Sequence, residues 1–186
     1  MTDTVTGVWT TDSVACGSPR SYNSQVGVPL ALGDLLPEHD IAFIEAAISA
    51  PAEMERHQHS IQPTHGILTH LGNAHLQHFQ NKEELIQEKI RLFNGCQWVA
   101  MPGHLEHAKQ ALISKNIHVK TWGESNLDTL QVQSHVHDNG RSVTVIWKGM
   151  HSVWHLPFSG EVGYRNAMTA ALFALEWGIS ESHVRE

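Results

Sequence analysis

The sequence has few cysteines, no concentration of basic residues and no long apolar run, and each absence excludes a class of protein. Cys16 and Cys96 lie far apart without zinc-ribbon spacing, so we expect free thiols and no disulfide framework. The 12 basic residues are outnumbered by 19 acidic ones, for a net charge of −7. No stretch gathers basic residues in the way that binding to a nucleic acid or an anionic membrane requires. No run approaches the roughly 18 apolar residues of a membrane span, and no signal peptide is recognisable, which predicts a soluble, cytoplasmic protein.

What the sequence does contain suits one folded domain. Its 186 residues are 41% apolar and 17% charged, which is enough to bury a sizeable core. No internal repeat, low-complexity tract or clear linker divides the chain. One domain is therefore the simplest organisation.

Strand and helix patterns alternate through the first two thirds of the chain. Short apolar runs at 41–48 and 65–72 are typical of buried strands. The segment between them opens a helix after Pro51, with Ser49 as a candidate cap. The elements that follow are predicted as helix, strand, helix and strand, at 82–93, 97–101, 105–115 and 117–122. This alternation favours a parallel sheet with helices on both faces.

The last third of the chain changes to an alternating apolar and polar pattern. Residues 129–158 contain three such segments and the turn signal Asp138-Asn139-Gly140, which predict an antiparallel ribbon. An alanine-rich helix over 164–178 ends at Gly178. The predicted fold class is α/β, a largely parallel sheet flanked by helices with a small antiparallel ribbon near 129–158.

Four segments together resemble a known family. They are SYNSQVGVPL (21–30), AFIEAA (42–47), GILTHLGNAH (66–75) and EKIRLF (88–93). In this order they are similar to the ATP-binding middle domain of the Mur ligases, especially the branch that adds D-alanyl-D-alanine, in the form that some bacteria fuse to an alanine racemase. The resemblance assigns 18–182 to a partial, N-terminally incomplete middle domain, 1–17 to a non-matching segment and 183–186 to a tail.

The resemblance implies an activity and its reactants. Members of this branch join D-alanyl-D-alanine to a UDP-linked muramoyl tripeptide in peptidoglycan synthesis. The reaction passes through an acyl phosphate made from ATP, with Mg²⁺ holding the phosphates. ATP and Mg²⁺ are thus the implied cofactors, and the tripeptide and the dipeptide are the implied partners.

Three matching residues are implied to form the metal site: Glu45, His75 and Lys89. A carboxylate after an apolar strand is costly to bury unless it binds a cation or is hydrogen-bonded, and oxygen ligands suit Mg²⁺. The family lysine is carbamylated, which makes Lys89 both a catalytic residue and a metal-ligand candidate. Without the family, Glu45 could instead pair with a lysine or a helix end, His75 could be a surface or cap residue, and Lys89 could extend its stem over the core.

Two further segments match family contacts to nucleotide and substrate. Asn166 corresponds to the asparagine that contacts adenine, although an asparagine near a helix start is also a common cap. The loop at 21–25 resembles the segment beside the uridine-linked substrate, with Ser21, Asn23, Ser24 and Gln25 as its candidate contacts. A polar turn before a helix is the alternative for that loop.

One family feature is missing from these residues. No Gly-Lys-Ser or Gly-Lys-Thr triplet occurs in the sequence, although such a loop cradles phosphates with its backbone amides and lysine. The loss of about three or four charge-assisted hydrogen bonds, each of about 1.5–3 kcal/mol, would weaken a site of about −8 kcal/mol to roughly tens of millimolar. We therefore expect the chain to be inactive alone, and a second polypeptide that supplies the loop is a candidate partner.

Two other functions are compatible with the sequence. The scaffold could be a non-catalytic module that binds a nucleotide sugar or a protein. The 15 histidines could instead indicate a transition-metal protein. This reading is weaker because the closely spaced pairs lie in separate segments, at His57/His59, His104/His107 and His135/His137.

Overall fold

Strands and helices alternate as far as residue 123 and then give way to three consecutive strands. The computed structural model describes residues 14–19, 22–72 and 76–185. The strands are β1 (Ala15–Gly17), β2 (Ile41–Phe43), β3 (His65–Ile67), β4 (Trp98–Pro102), β5 (His118–Gly123), β6 (Leu130–His137), β7 (Gly140–Trp147) and β8 (Met150–Leu156). The helices are α1 (Gly27–Gly33), α2 (Glu53–Ile61), α3 (Lys82–Arg91), α4 (Glu106–Ile113), α5 (Glu161–Trp177) and α6 (Glu181–Val184), with a 3₁₀ turn at Leu76–His78.

A six-stranded sheet in the order β3-β4-β5-β6-β7-β8 carries most of the fold. The first four strands are parallel, and β7 and β8 extend the sheet in antiparallel pairing. The two-residue turn Asp138-Asn139 joins β6 to β7, where the turn signal predicted it. Both the parallel sheet and the antiparallel ribbon of the sequence prediction are confirmed.

Successive side chains of β4 point into two different cores, as the pleat requires. Val99 and Met101 pack with α3 and α4 on one face, where Ile90 and Leu112 are fully buried. Ala100 packs on the other face in a core that also contains residues of β5 to β8 and of α5. The sheet is therefore covered by helices on both faces, as expected for a βαβ alternation.

The chain before β3 is organised differently. The strands β1 and β2 form a separate parallel pair, with Cys16 opposite Ala42. The helix α2 then packs beside α3 in a small core of Ile48, Met54 and Leu85.

Three local predictions need correction in this part. The strand predicted over 41–48 ends at Phe43, because side chains and loop backbone, and not a strand partner, bind the amides after it. The strand predicted over 65–72 likewise ends at Ile67. Ser49 does not cap α2: the helix begins after Ala52, and Ser49 instead donates to the Glu53 carboxylate.

Two exclusions drawn from the sequence can be compared with the structure. Cys16 and Cys96 are both free, and burial raises the pKa of the Cys96 thiol to about 12. Among the helices of the described residues, none combines the length and the hydropathy that a bilayer span needs.

Candidate functional site

A cavity of about 840 Å³ opens beside the ends of β2 and β3. Glu45 follows the last residue of β2 by two positions, and His70 follows the last residue of β3 by three. Lys89 of α3 and Asn166 of α5 also line the cavity, together with other polar residues such as Thr69 and with apolar side chains such as Ile67. Three residues predicted separately from the sequence, Glu45, Lys89 and Asn166, therefore line one cavity.

Glu45 is held in place by neighbours from the amino-terminal part of the chain. Its backbone N–H donates to the Ser18 hydroxyl at 3.0 Å, and its Oε1 accepts from the Asn23 amide at 3.2 Å. The side chain is half-buried. One carboxylate oxygen is thus anchored, and the group has no salt bridge to a lysine within the described ranges.

Lys89 lies half-buried on α3, between the fully packed positions Glu88 and Ile90. Its amine forms no hydrogen bond or ion pair with any of the described residues. Burial lowers the pKa of Lys89 below the usual lysine value, because the charged form loses hydration. The cavity wall therefore carries a lysine with an increased share of the neutral, nucleophilic form.

Asn166 lies inside α5 and not at its start. The helix begins at Glu161 after Gly160, so the alternative of a capping asparagine is wrong. Its neighbour Arg165 adds positive charge close to two histidines, His70 and His104, and adds to burial in lowering the pKa of both. Burial first, and then Arg165 and other cations, lower the pKa of His70, while burial and Arg165 lower that of His104.

The predicted substrate loop lies within the described residues except for Ser21. Asn23 contacts Glu45, and the Ser24 hydroxyl accepts from the Gly27 amide at 3.2 Å where α1 begins. The Gln25 side chain lies near the Glu53 carboxylate and helps to lower its pKa. All three described side chains therefore have partners inside the protein, and the turn is joined to the segment that carries Glu45.

His75, the third predicted metal ligand, lies outside the described residues. Within the described ranges, no group of three His, Cys, Asp or Glu side chains is placed to hold a metal ion. This includes the three close histidine pairs that prompted the transition-metal alternative. Any hard cation at Glu45 would therefore need ligands from outside that set.

Sequence reasoning missed two groups of residues near this cavity. The positive charge around His70 and His104 comes from residues of separate elements, so no spacing in the local sequence predicts it. Glu53 and His57 are both buried, and their side chains approach to 4.0 Å. Their spacing of four on a predicted helix is a usable signal, because residues four apart lie on the same helix face.

Comparison with known sequences gives a consistent assignment. The profile described as Mur ligase middle domain matches residues 1–174. The UDP-N-acetylmuramoyl-tripeptide–D-alanyl-D-alanine ligase of Bacillus subtilis is 22% identical over 161 residues, covering 86% of this chain and 35% of that protein. The ligase of the same name from Buchnera aphidicola is 27% identical over 163 residues, covering 83% and 35%.

Solved structures share the fold. MurF from Acinetobacter baumannii superposes with a TM-score of 0.87 at 21% identity, covering 99% of this chain and 41% of that one. The MurF ligase from Thermotoga maritima in complex with ADP gives a TM-score of 0.84 at 13% identity, covering 100% and 44%. The chain spans less than half the length of these relatives. With the profile match over most of its length, the chain belongs to the Mur ligase middle-domain family.

Proposed function

We propose that this chain carries the metal-binding and adenine-facing part of a Mur ligase site that joins D-alanyl-D-alanine to a UDP-muramoyl tripeptide with ATP. The observation that carries the proposal is the lining of one cavity by Glu45, Lys89 and Asn166. The names of the relatives support the reaction, and the ADP complex of the Thermotoga maritima structure supports a nucleotide. A cytoplasmic location is part of the same proposal.

The residues present fit Mg²⁺ when part of its coordination comes from substrate. Mg²⁺ usually takes one or two protein carboxylates and completes its shell with water and phosphate oxygens. Glu45 supplies one carboxylate on the cavity wall, which agrees with the lack of a three-ligand protein cluster among the described residues. His75 is the remaining candidate ligand by family resemblance.

Lys89 would supply the second anionic ligand after reaction with CO₂. Its neutral amine attacks the carbon of CO₂, an N–C bond forms, and one proton leaves to give a carbamate anion. The lowered pKa of Lys89 favours this step because only the unprotonated amine is a nucleophile. The lysine side chain would thereby become an anionic oxygen ligand in the cavity that Glu45 also lines.

Asn166 would contact the adenine edge, since an amide both donates and accepts. The turn 22–25, together with Ser21, would lie beside the uridine-linked substrate. The phosphate loop would come from outside these 186 residues, in a longer polypeptide or in a second one.

Phosphate release tests the proposal directly. The purified chain, given ATP, Mg²⁺, UDP-muramoyl tripeptide and D-alanyl-D-alanine, should release no phosphate. Addition of a separately produced phosphate-loop fragment from a related ligase should restore release. Lys89→Met and Glu45→Gln should abolish the restored activity, whereas the exposed control Lys115→Met should keep it.

Two outcomes would contradict parts of the proposal. Turnover by the chain alone would refute its dependence on an external phosphate loop. A reconstituted complex that binds nucleotide but makes no amide bond would refute the ligase assignment. Calorimetry that detects binding of UDP-muramoyl tripeptide in such a complex, without catalysis, would instead favour the non-catalytic module.

A further inference from the structure

A buried pair of ionisable residues, Glu53 and His57, lies on α2 outside the cavity described above. Each side chain is only 3% exposed, and Glu53 Oε1 is 4.0 Å from His57 Nε2. Burying two such groups costs free energy unless other contacts compensate. Their contacts reach two segments that carry candidate site residues.

The Glu53 carboxylate binds the loop that follows β2. Its Oε2 accepts from the Ser49 N–H at 2.6 Å, from the Ser49 hydroxyl at 2.9 Å and from the Ala50 N–H at 3.1 Å. The Gln25 side chain lies near this carboxylate and helps to lower its pKa. Burial alone would raise the pKa of Glu53, but these hydrogen bonds outweigh burial and lower it, so the group stays anionic.

His57 reaches the same loop closer to Glu45. The backbone of Ala47 lies beside its imidazole and partly opposes the lowering of the His57 pKa by burial, while the His57 Nε2 has no hydrogen-bond partner among the described residues. The Ala47 N–H donates to the Asn23 carbonyl at 2.8 Å, and the Asn23 amide donates to Glu45 Oε1 at 3.2 Å. His57 therefore lies against the backbone segment whose hydrogen bonds lead through Asn23 to the Glu45 carboxylate.

The backbone just before α2 is strained, so formation of the helix does not by itself account for the position of Glu53 and His57. The residue before α2, Ala52, has a φ of 63°, a left-handed conformation that is unfavourable for alanine, and its side chain cannot cap the helix. The chain thus keeps a strained link and two buried ionisable groups at the same place. Such combinations are concentrated where geometry serves function.

We propose that Glu53 and His57 are positioning residues that fix the Glu45 carboxylate and the 22–25 turn relative to each other. The pair touches both segments, so displacement of one segment is transmitted to the other. This inference rests on the proposed function in assigning Glu45 to the metal. The contacts themselves do not depend on that assignment.

The test uses Mn²⁺ as the probe ion, with the phosphate-loop fragment and ATP present to complete its ligands, and three single variants of the whole chain. Glu53→Gln keeps the shape but removes the charge, Asn23→Ala breaks the link to Glu45, and Glu55→Gln is the matched control, since Glu55 is 71% exposed on the same helix. Glu53→Gln should lower Mn²⁺ affinity by about tenfold or more, as loss of an outer partner of a metal ligand commonly does. Glu55→Gln should leave it unchanged. In the double variant, Glu53→Gln should add little to Asn23→Ala, because both act along one path.

Amide exchange separates failure of this inference from failure of the proposed function. Glu53→Gln should speed exchange of the Ala47 amide by about tenfold or more, with no change at Val145 in the central sheet. A native circular dichroism spectrum with Mn²⁺ affinity as in wild type would overturn the positioning role. If the wild-type chain binds no Mn²⁺ even with the phosphate-loop fragment and ATP present, the metal assignment fails. Unchanged exchange of the Ala47 amide in Glu53→Gln would separately overturn the positioning role.

Discussion

The sheet region from β4 to β8 and the segment from residue 14 to 50 are held together by different forces. In the sheet region, long ladders and apolar burial dominate, and Leu130, Val143 and Leu172 are fully buried between the sheet and α5. In the segment 14–50, two strands of three residues pair, and polar side chains hold much of the chain between and beyond them. The first arrangement is suited to stability, and the second places polar groups at the cavity.

This contrast explains why the candidate chemistry lies at one side of the fold. Apolar contacts are non-directional and do not fix the orientation of a carboxylate. Hydrogen bonds are directional and do so at a small net gain in free energy. The hydrogen bonds around Glu45 therefore orient its carboxylate more than they stabilise the fold.

The largest expected effect is a truncation in the sheet region. Leu172→Ala removes a fully buried side chain of α5 and leaves a cavity against the sheet, which should lower the free energy of unfolding by about 2–5 kcal/mol. Urea denaturation measures this directly. Leu127→Ala is the matched control, because Leu127 is 86% exposed and should cost little. Similar losses for both variants would contradict the assignment of the core to α5.

The sheet region was also the part that the sequence predicted best. The alternation of apolar and polar residues between 129 and 158 and the turn signal at Asp138 predicted both the strands and their antiparallel pairing. The strand predicted over 97–101 is observed one residue later, at 98–102. Here the local pattern and the tertiary environment agree, since each strand is buried by the face its pattern indicates.

Sequence reasoning was weaker in the segment 14–50 for a physical reason. The apolar run at 41–48 is typical of a strand, but the amides after Phe43 bind Ser18 and Asn23, which lie more than twenty residues earlier in the chain. No window of local sequence contains those partners. Glu45, Lys89 and Asn166 came from family resemblance, whereas the burial of Glu53 and His57 depends on contacts that only the fold brings together.

The second effect should be smaller and local. Ser18→Ala removes the acceptor of the Glu45 N–H, and the loss of one partly buried hydrogen bond should cost about 1 kcal/mol. Amide exchange at Glu45 should become faster, while exchange at Val145 stays the same. Ser60→Ala serves as the control, because that exposed hydroxyl bonds only to a carbonyl of its own helix. Uniformly faster exchange in both regions would mean that they unfold as one unit.

The smallest effect concerns Lys89, which lies on the cavity wall. Because burial lowers its pKa, the folded chain loses this proton at a lower pH than the unfolded chain, whose lysine pKa is about 10.4. Between the two values the unfolded state binds more protons, so the free energy of unfolding should rise with pH in that window. Lys89→Met should flatten this rise, and the exposed control Lys115→Met should not. Urea denaturation across alkaline pH in CO₂-free buffer measures the difference between variants. Equal slopes for wild type and Lys89→Met would mean that the amine is fully hydrated, and the cavity would then give Lys89 no increased nucleophilicity toward CO₂.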